Sequence, residues 1–599
     1  MTKHSEAASC RAGPSTNERT SGSILGPVLV SAVLGVTFIA IVIVTWAHWG
    51  HVTIDCGGAL DRAARIAGGQ LLYRDVLSPY GPLADYAVAA AFRAGGIHLN
   101  VAYAVGLTVL AAESCLLWYV GRRFLAHLEC AVGLAGFWIL LAFRPGYINW
   151  VLPNTFAATF GSLFATATVA LLIADIERPR DGKLIGASVC AAGAALSKVE
   201  FGLAAYGTLV LQCLLFPCPA RARLSAAIRL LLPGLVLIAA VVLLFASLIP
   251  WQSLLFDNLY RIRSFRGTVA SLRTTLVEPV WPPVREAALR YGLEFPLRAV
   301  LVSVGLRLAG RPGTGRPLGA LLVALGLLVP LAPGYVPPRD FTSLVAVKGS
   351  DAFEPIPRAF AWSAVGWSVA TLAAFVRDRR APSVGARAIV LVGGLSVLLT
   401  LRWDFHVVWA PYYAPFAPFL PLLAVRVLAA PLAGGDASLT APLVIGGALV
   451  AAALNVRTIY GQYGIMLDYP RGRIWAPSLR GAPLAAVIDY VRATTSPEDY
   501  VAVIPEERLI NFLAERRNPT RDSGIGPAWL ATAADERAFV RELKEKWPRA
   551  VVVSQRSYPE FQAGTVRAYN PRVIRWIERA YRPAQSAGPY ITYSRRDRR

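Results

Sequence analysis

Apolar stretches of roughly 15 to 22 residues recur along most of this chain, separated by short polar or basic segments. About 20 apolar residues in a helix cross the ~30 Å hydrocarbon core of a bilayer. The pattern therefore predicts a polytopic α-helical membrane protein with about 13 transmembrane helices. The predicted spans are residues 26–47, 100–121, 128–143, 154–174, 184–197, 201–217, 230–249, 294–309, 317–334, 357–376, 386–401, 412–429 and 441–457.

The apolar run between residues 184 and 217 is divided into two of these spans. One helix over this run would be about 50 Å long at 1.5 Å per residue, which is too long for one crossing. It would also place Lys198 and Glu200 in the middle of the membrane, where ionised side chains are costly. Two short spans that join near these two residues avoid both difficulties.

Composition and charge support this interpretation. Hydrophobic residues make up 55% of the chain and charged residues only 16%, as in integral membrane proteins. The net charge of +23 would suggest nucleic-acid binding in a soluble protein. Here, however, much of the basic charge lies in short loops between apolar runs, where it sets topology. The basic loops contain Arg122 and Arg123; Arg178, Arg180 and Lys183; Arg221, Arg223 and Arg229; Arg307, Arg311 and Arg316; and Arg377, Arg379, Arg380 and Arg387. We expect a bacterial-type plasma-membrane protein with a cytoplasmic N-terminus, an extracytoplasmic C-terminus and no nucleic-acid partner.

The pattern divides the chain into three parts. Residues 1–23 are polar, and we expect them to be disordered in the cytoplasm. Residues 24–457 form the transmembrane domain, with a first outer loop at 50–98 and another long outer loop at 250–293. Residues 458–599 predict a small extracytoplasmic α/β domain. Its expected helices are Leu484–Arg492, Glu506–Glu515 and Glu536–Trp547, and its expected strands are Tyr500–Ile504, Ala550–Ser554 and Tyr590–Tyr593.

The outer loop 250–293 departs from the charge rule because it is basic. Its arginines are Arg261, Arg263, Arg266, Arg273, Arg285 and Arg290, and its aromatic residues include Trp251, Tyr260 and Trp281. This composition is compatible with contact to lipid phosphates and equally with a solvated surface helix.

The first outer loop contains the most distinctive stretch, from Asp55 to Tyr86. Gly-Gly pairs bracket a short amphipathic helix, and the turn Ser78–Pro82 leads into a second helix that Pro82 opens and that extends to Phe92. Two short helices on a membrane surface, with an acid at their start, are typical of a reaction site beside a bilayer. Asp55 could act there as a general base or could cap the helix that follows it.

The first loop resembles that of the GT-C glycosyltransferases that use polyprenyl-phosphate sugars, a superfamily that includes the protein O-mannosyltransferases and the lipid A aminoarabinose transferases. The shared elements are Asp55 after the first helix, the sequence G-Q-L-L-Y-R-D at Gly69–Asp75, and G-P-L at Gly81–Leu83. Further resemblance lies in Leu196–Phe201, Trp403–Pro418 and Asn518–Arg521. The span count with an outside C-terminus also matches the superfamily.

The resemblance implies inverting sugar transfer with Asp55 as the general base. The acceptor hydroxyl, on a lipid, polysaccharide or protein, would attack the anomeric carbon, and the lipid-bound phosphate would leave. Such a site needs cations aimed at the leaving phosphate. The candidate phosphate-binding residues are Arg74, Lys198, Arg402 and His406, and the candidate substrate-binding residues are Tyr73, Asp75, Tyr80, Asn154, Glu200 and Tyr412. Structural roles remain open for several of them: Arg74 could pair with Asp75, Lys198 with Glu200, and His406 could cap a helix.

Two departures from the superfamily pattern argue against a metal site. Cys56 stands where many relatives have a second acidic residue, and Asn154 stands where many have another Asp. Asn can hydrogen-bond a sugar hydroxyl but is neither a base nor a strong metal ligand. The chain also has no D-x-D motif and no C-x-x-C pair. We therefore expect neither a metal nor a cofactor.

Two other functions fit the same pattern. Many crossings and intramembrane charges also suit a transporter or flippase for a lipid-linked sugar. The missing second carboxylates suit a non-catalytic envelope assembly protein that has kept the fold. Only the enzyme requires a carboxylate at Asp55.

Overall fold

The computed structural model describes residues 25–53, 56–145, 149–215, 220–251, 383–400, 460–521, 532–557 and 564–596, with short pieces at 254, 304, 322, 367, 370–371, 412, 414–420, 422–423 and 524–526. Asp55, Arg402 and His406 lie outside these residues. So do nearly all of the predicted spans at 294–309, 317–334, 357–376 and 441–457, part of the predicted span at 412–429, and almost all of the basic loop 250–293.

Apolar helices form the N-terminal two-thirds of the described chain. They are α1 (Leu25–Val44), α2 (Cys56–Ala67), α3 (Pro82–Gly95), α4 (Leu99–Gly121), α5 (His127–Phe137, continued by a π turn at Trp138–Ala142), α6 (Phe156–Glu177), α7 (Asp181–Ser197), α8 (Val199–Leu215), α9 (Ala220–Leu248) and α10 (Val384–Thr400). Within the described residues, Leu99–Gly121, Phe156–Glu177 and Ala227–Leu248 are long and apolar enough to cross a membrane. Val33, Val36 and Ile43 on α1 and Leu243 on α9 are more than half exposed, as on a lipid-facing surface. The chain is an integral membrane protein.

The predicted division of residues 184–217 is confirmed. Helix α7 ends at Ser197 and α8 begins at Val199. Between them Lys198 is extended, with φ −152° and ψ 125°. The two helices approach each other closely where they meet. A Cβ on Gly202 would lie only 2.3 Å from the Ala195 Cβ. Small residues at this crossing allow the close approach that is common between membrane helices.

An α/β region follows after residue 460. It contains the hairpin β1 (Ile465–Tyr469) and β2 (Gly472–Ala476), then α11 (Ser478–Thr494), β3 (Val501–Ile504), α12 (Leu509–Ala514), α13 (Ala533–Lys546), β4 (Ala550–Ser554), α14 (Val566–Tyr569), α15 (Pro571–Ala580), β5 (Tyr581–Ala587) and β6 (Tyr590–Arg595). The strands predicted near residues 500, 550 and 590 are confirmed, whereas β1, β2 and β5 were not expected from the pattern. The four-stranded sheet has the order β3-β4-β6-β5, in which only β3 and β4 are parallel.

The sheet is packed on both faces. One face meets α13 and α15 through residues such as Phe539 and Ile574. The other face belongs to a hydrophobic core that continues without a break into the first outer loop and the membrane helices. Phe512 of α12, for example, stacks on Phe92 of α3, with 6.2 Å between ring centroids. The α/β region is therefore seated directly on the first outer loop.

Candidate active site

The first outer loop forms two helices as predicted, but they do not lie on an open surface. In α2 every residue from Cys56 to Ala64 is buried. Its apolar side faces the core, and its polar side is covered by the segment Asn518–Arg521. Asn518 Nδ2 donates to Asp61 Oδ2 at 3.1 Å, and Arg65 Nη1 donates to the Thr520 carbonyl at 2.8 Å. The expected membrane-surface helix is thus covered on both sides, because a segment distant in sequence satisfies its polar face.

The predicted residues Tyr73, Arg74 and Asp75 form a tight turn between α2 and α3. Tyr73 is buried at φ +69° and donates its hydroxyl to the Tyr80 carbonyl at 2.6 Å. Asp75 accepts hydrogen bonds from Leu71 N and from the Arg74 guanidinium, both at 2.8 Å. The Arg74 bond holds the pKa of Asp75 below its usual value.

The geometry of this turn matches the structural pairing considered from the sequence. The Arg74 side chain is 58% exposed and lies against Asp75. Arg521 ties the turn to the α/β region, because it donates to the carbonyl oxygens of Tyr73 and Arg74 at 3.1 and 2.7 Å. Phosphate contact by Arg74 stays a prediction.

Two buried cations approach the ring of Tyr80. Lys198 Nζ lies 5.3 Å and Arg62 Cζ 5.9 Å from the ring centroid. Lys198 and Arg62 are only 5% exposed. Cations this close to an aromatic face are attracted by its quadrupole. We call Arg62, Tyr80 and Lys198 the Tyr80 cluster.

Asp85 and Ser78 support the Tyr80 cluster. Arg62 Nε lies 3.4 Å from Asp85 Oδ2, and Ser78 Oγ donates to the same oxygen at 3.1 Å. Asp85 therefore lies against Arg62. Buried cations are groups that can stabilise a negative charge that develops beside them.

The break between α7 and α8 brings Lys198 to the cluster. Gly81 N donates to the Ser197 carbonyl at 3.1 Å, so the turn that carries Tyr80 is bonded to the residue before Lys198. Glu200 lies on the first turn of α8 and is half-buried. The sequence predicted Lys198 and Tyr80 but gave no indication that Arg62 would join them.

Asn154 and Tyr412 meet, although more than 250 residues separate them. The Tyr412 hydroxyl accepts from Asn154 N at 3.3 Å and donates to the Asn149 carbonyl at 3.1 Å. Asn154 Oδ1 accepts from Thr155 N at 2.8 Å. The Asn154 Nδ2 group is buried and, within the described part of the chain, has no hydrogen-bond partner. It is thus available as a donor.

The loop that carries Asn154 lies beside the start of the first outer loop. A Cβ on Gly50 would be 2.6 Å from Leu152 Cδ2. Asn149 shapes this loop, because its Oδ1 accepts from Val151 N and Leu152 N at 2.9 and 2.6 Å. Asn154 therefore belongs to the same neighbourhood as the residues that precede position 55.

The residues that flank Asp55 contact the α/β region. Thr53 Oγ1 lies 3.1 Å from His51 Nδ1 and accepts from Arg480 Nη1 at 3.2 Å. Cys56 Sγ donates to the His51 carbonyl at 2.9 Å. Burial and the positive charges of Arg480 and Arg556 lower the pKa of His51 to about 3, so its ring is neutral at physiological pH.

The carboxyl ends of the parallel strands β3 and β4 face this stretch. Glu506, Glu507 and Arg508 follow β3, and Arg556 follows β4 and forms an ion pair with Glu506. A Cβ on Gly57 would lie 2.2 Å from Leu509 N, so α2 begins directly against this edge.

Sequence reasoning missed these charged residues. The rule that ligands bind at the carboxyl ends of parallel strands could have found them, because the strands themselves were predicted.

Burial raises the pKa of Glu507 to about 7. No three His, Cys, Asp or Glu side chains gather into a possible metal site among the residues that the structure describes.

Comparison with known proteins gives matches only among solved structures. No family model and no curated protein matches the chain. ArnT from Cupriavidus metallidurans in the apo state is 12% identical over 94% of this chain and 98% of its own, with a TM-score of 0.43. The same protein bound to undecaprenyl phosphate is 13% identical over 96% and 98%, with a TM-score of 0.42. The archaeal oligosaccharyltransferase AglB from Archaeoglobus fulgidus, in complex with an inhibitory peptide and a dolichol-phosphate, is 12% identical over 96% and 75%, with a TM-score of 0.47.

Proposed function

We propose that this protein is a membrane glycosyltransferase that moves a sugar from a polyprenyl-phosphate donor to an acceptor hydroxyl on the extracytoplasmic side. The observation that carries the proposal is the Tyr80 cluster. It places Lys198 and Arg62 beside the ring of Tyr80. Tyr80 belongs to the loop that resembles the GT-C first loop.

The proposed chemistry is an inverting displacement. The Asp55 carboxylate takes the proton from the acceptor hydroxyl, whose oxygen attacks the anomeric carbon. The bond between that carbon and the phosphate oxygen breaks, and its electron pair leaves with the phosphate, which stays attached to the lipid. A buried cation that faces the leaving oxygen stabilises the charge that develops there.

Lys198 fits this task. It is buried, it is fixed by the break between α7 and α8, and it shares the Tyr80 ring with Arg62. In the proposal Lys198 contacts the phosphate, and Arg62, which faces Asp85, adds positive potential beside the same ring. Arg74, Arg402 and His406 are the other proposed phosphate contacts.

The acceptor would approach from the side of Asn154. Its Nδ2 group is a buried donor, and Tyr412 holds the backbone of the same loop. Tyr73, Asp75 and Glu200 complete the proposed substrate-binding set. Tyr73 and Asp75 act through the shape of the turn that carries Tyr80.

The experiment compares wild type with Asp55→Asn, each purified as the full chain in detergent. Each receives radiolabelled polyprenyl-phosphate monosaccharides and a membrane extract as acceptor. Loss of a general base reduces the rate by about 10²- to 10⁴-fold, so we expect transfer of label by wild type alone. Asp468→Asn is the matched control, because Asp468 is a half-exposed side chain in β1 that pairs with Arg473.

The other outcomes of this experiment are informative. Transfer by both proteins would place the base elsewhere and leave Asp55 as a helix cap. Retention of labelled lipid by wild type without transfer would favour a lipid-linked sugar transporter or a non-catalytic assembly protein.

A second pair of variants tests the cation. Lys198→Met should abolish transfer, whereas Lys183→Met should not, because Lys183, at the start of α7, donates to the carbonyl oxygens of Ala174 and Arg178 at the C-terminal end of α6.

A further inference from the structure

One carboxylic acid that the proposed transferase site does not use lies fully buried among the membrane helices that the structure describes. Glu113 is on α4, about 12 Å along the helix from Gly121 at 1.5 Å per residue, and it is 0% exposed. Ionised or polar groups at such positions are costly unless they have partners, and they commonly mark functional sites.

The two oxygens of Glu113 have different environments. Oε1 accepts hydrogen bonds from Ser162 Oγ and Thr166 Oγ1 of α6, both at 3.0 Å. Ser162 and Thr166 are one helical turn apart, so both hydroxyls reach the same oxygen. Oε2 is buried and has no hydrogen-bond partner within the described residues.

This asymmetry leaves Oε2 unsatisfied in either protonation state of the acid. If the carboxyl is ionised, Oε2 carries negative charge in an apolar region with no donor. If it is protonated at Oε2, the new O–H donor has no protein acceptor. Either state costs several kcal/mol in a medium that cannot hydrogen-bond. A bound cation at Oε2 removes the cost of the ionised state.

The charged groups of the neighbouring elements do not provide that cation. The elements packed against α4 are α3, α5, α6 and β2. Their titratable groups are Asp85, Tyr86 and Arg93 on α3, His127, Glu129 and Cys130 on α5, Asp175 and Glu177 on α6, and Arg473 on β2. Among the described residues, only the hydroxyls of Ser162 and Thr166 form hydrogen bonds with the Glu113 carboxyl.

We propose that Glu113, with Ser162 and Thr166, forms a binding site for one sodium ion within the membrane helices. The carboxylate supplies one negative charge, and each hydroxyl oxygen keeps lone pairs that can face a small cation. Divalent ions do not fit, because Mg²⁺ and Ca²⁺ require about six or more oxygen ligands and usually several carboxylates or waters. Occupancy of this site would link α4 to α6, and therefore to the loop that carries Asn154.

The test uses the full chain purified in detergent. The melting temperature is measured in NaCl and in choline chloride at equal ionic strength, because a ligand that binds the folded state raises it. Infrared spectra in H₂O and D₂O show whether a protonated carboxyl is present. The variants are Glu113→Gln, which removes the charge, and Ser162→Ala, which removes one hydroxyl. Thr168→Val is the matched control, because Thr168 donates mainly within α6 to the Phe164 carbonyl.

Sodium binding predicts a higher melting temperature in NaCl that is absent in Glu113→Gln, reduced in Ser162→Ala and retained in Thr168→Val. A carboxyl C=O band in wild type that shifts in D₂O and is missing in Glu113→Gln, without any sodium effect, would show a protonated acid and overturn the proposal. A wild type with neither a sodium effect nor a carboxyl band would overturn the proposal and leave Glu113 as a helix-to-helix polar contact. This last result needs no variant, so a failure of Glu113→Gln to fold does not affect it.

Discussion

Gly81 donates its backbone N–H to the Ser197 carbonyl oxygen at 3.1 Å. This bond joins the turn of the first outer loop to the break between α7 and α8. Tyr80 and Lys198 are the adjacent residues on the two sides, and their contact depends on the same approach.

Gly81→Ala should separate these two segments. A Cβ at position 81 would lie 2.0 Å from the Leu196 carbonyl oxygen, a backbone atom that cannot rotate away. We expect at least a tenfold loss of sugar transfer together with a lower melting temperature. Gly182→Ala is the control, since a Cβ there meets nothing within 4 Å. Normal transfer by Gly81→Ala would show that the contact between Tyr80 and Lys198 is not needed.

Tyr80→Leu should weaken donor binding more than Tyr80→Phe, because Phe keeps the aromatic face and Leu does not. A cation–π contact contributes about 0.5 to 2 kcal/mol. We therefore expect the KM for the lipid donor to rise by roughly 2- to 30-fold in Tyr80→Leu. Steady-state kinetics over a range of donor concentrations measures this. Equal KM values for the two variants would mean that the ring does not position the cations.

Variants of the ion pair between Arg62 and Asp85 can distinguish an effect on the melting temperature from an effect on sugar transfer. Arg62→Met leaves a buried Asp85, and breaking a buried pair costs roughly 3 to 5 kcal/mol. The double variant Arg62→Met/Asp85→Asn should recover most of the melting temperature but not the transfer activity. If it recovers both, Arg62 serves only to neutralise Asp85.

The hydrogen bond from Asn518 to Asp61 should hold helix α2 against the α/β region. Asn518→Asp keeps the acceptor oxygen that binds Thr520 but places two carboxylates 3.1 Å apart where the amide now donates. Hydrogen exchange of α2 should become faster in this variant. Adding Asp61→Asn restores a donor on the opposite partner and should restore protection. If the exchange of α2 is unaffected by Asn518→Asp, the segment Asn518–Arg521 does not hold the helix.

The buried carboxyl of Glu507 should make the free energy of unfolding decrease as the pH rises from about 4.5 to about 7. Its pKa is raised from 4.5 to about 7 by burial, so in this window the folded state binds more protons than the unfolded state. The effect is at most about 3 kcal/mol. His51, with a pKa of about 3 in the folded protein, has the opposite slope below about pH 6.5. The difference between wild type and Glu507→Gln therefore isolates Glu507. If the melting temperatures of wild type and Glu507→Gln change in the same way from pH 5 to pH 8, the prediction is contradicted.

Local patterns predicted several of the described elements of this protein but not the strands β1, β2 and β5. The lengths of the apolar runs predicted α4 and α6, because the bilayer sets how many apolar residues a crossing helix needs. The cost of charge in hydrocarbon predicted the break at Lys198. The glycines and Pro82 predicted α2 and α3, and alternating apolar residues predicted β3 and β4. Each of these signals is contained within a few consecutive turns or residues of the chain.

The sequence by itself thus determined a membrane protein with a distinctive first outer loop, and it named Tyr80, Lys198, Asn154 and Tyr412 as candidate residues. Only the tertiary structure decided which of them meet. Lys198 joins Arg62 at Tyr80, and Tyr412 joins Asn154, across separations of more than a hundred residues. Such contacts depend on how helices and loops pack together, and periodicity and spacing describe only the neighbours along the chain.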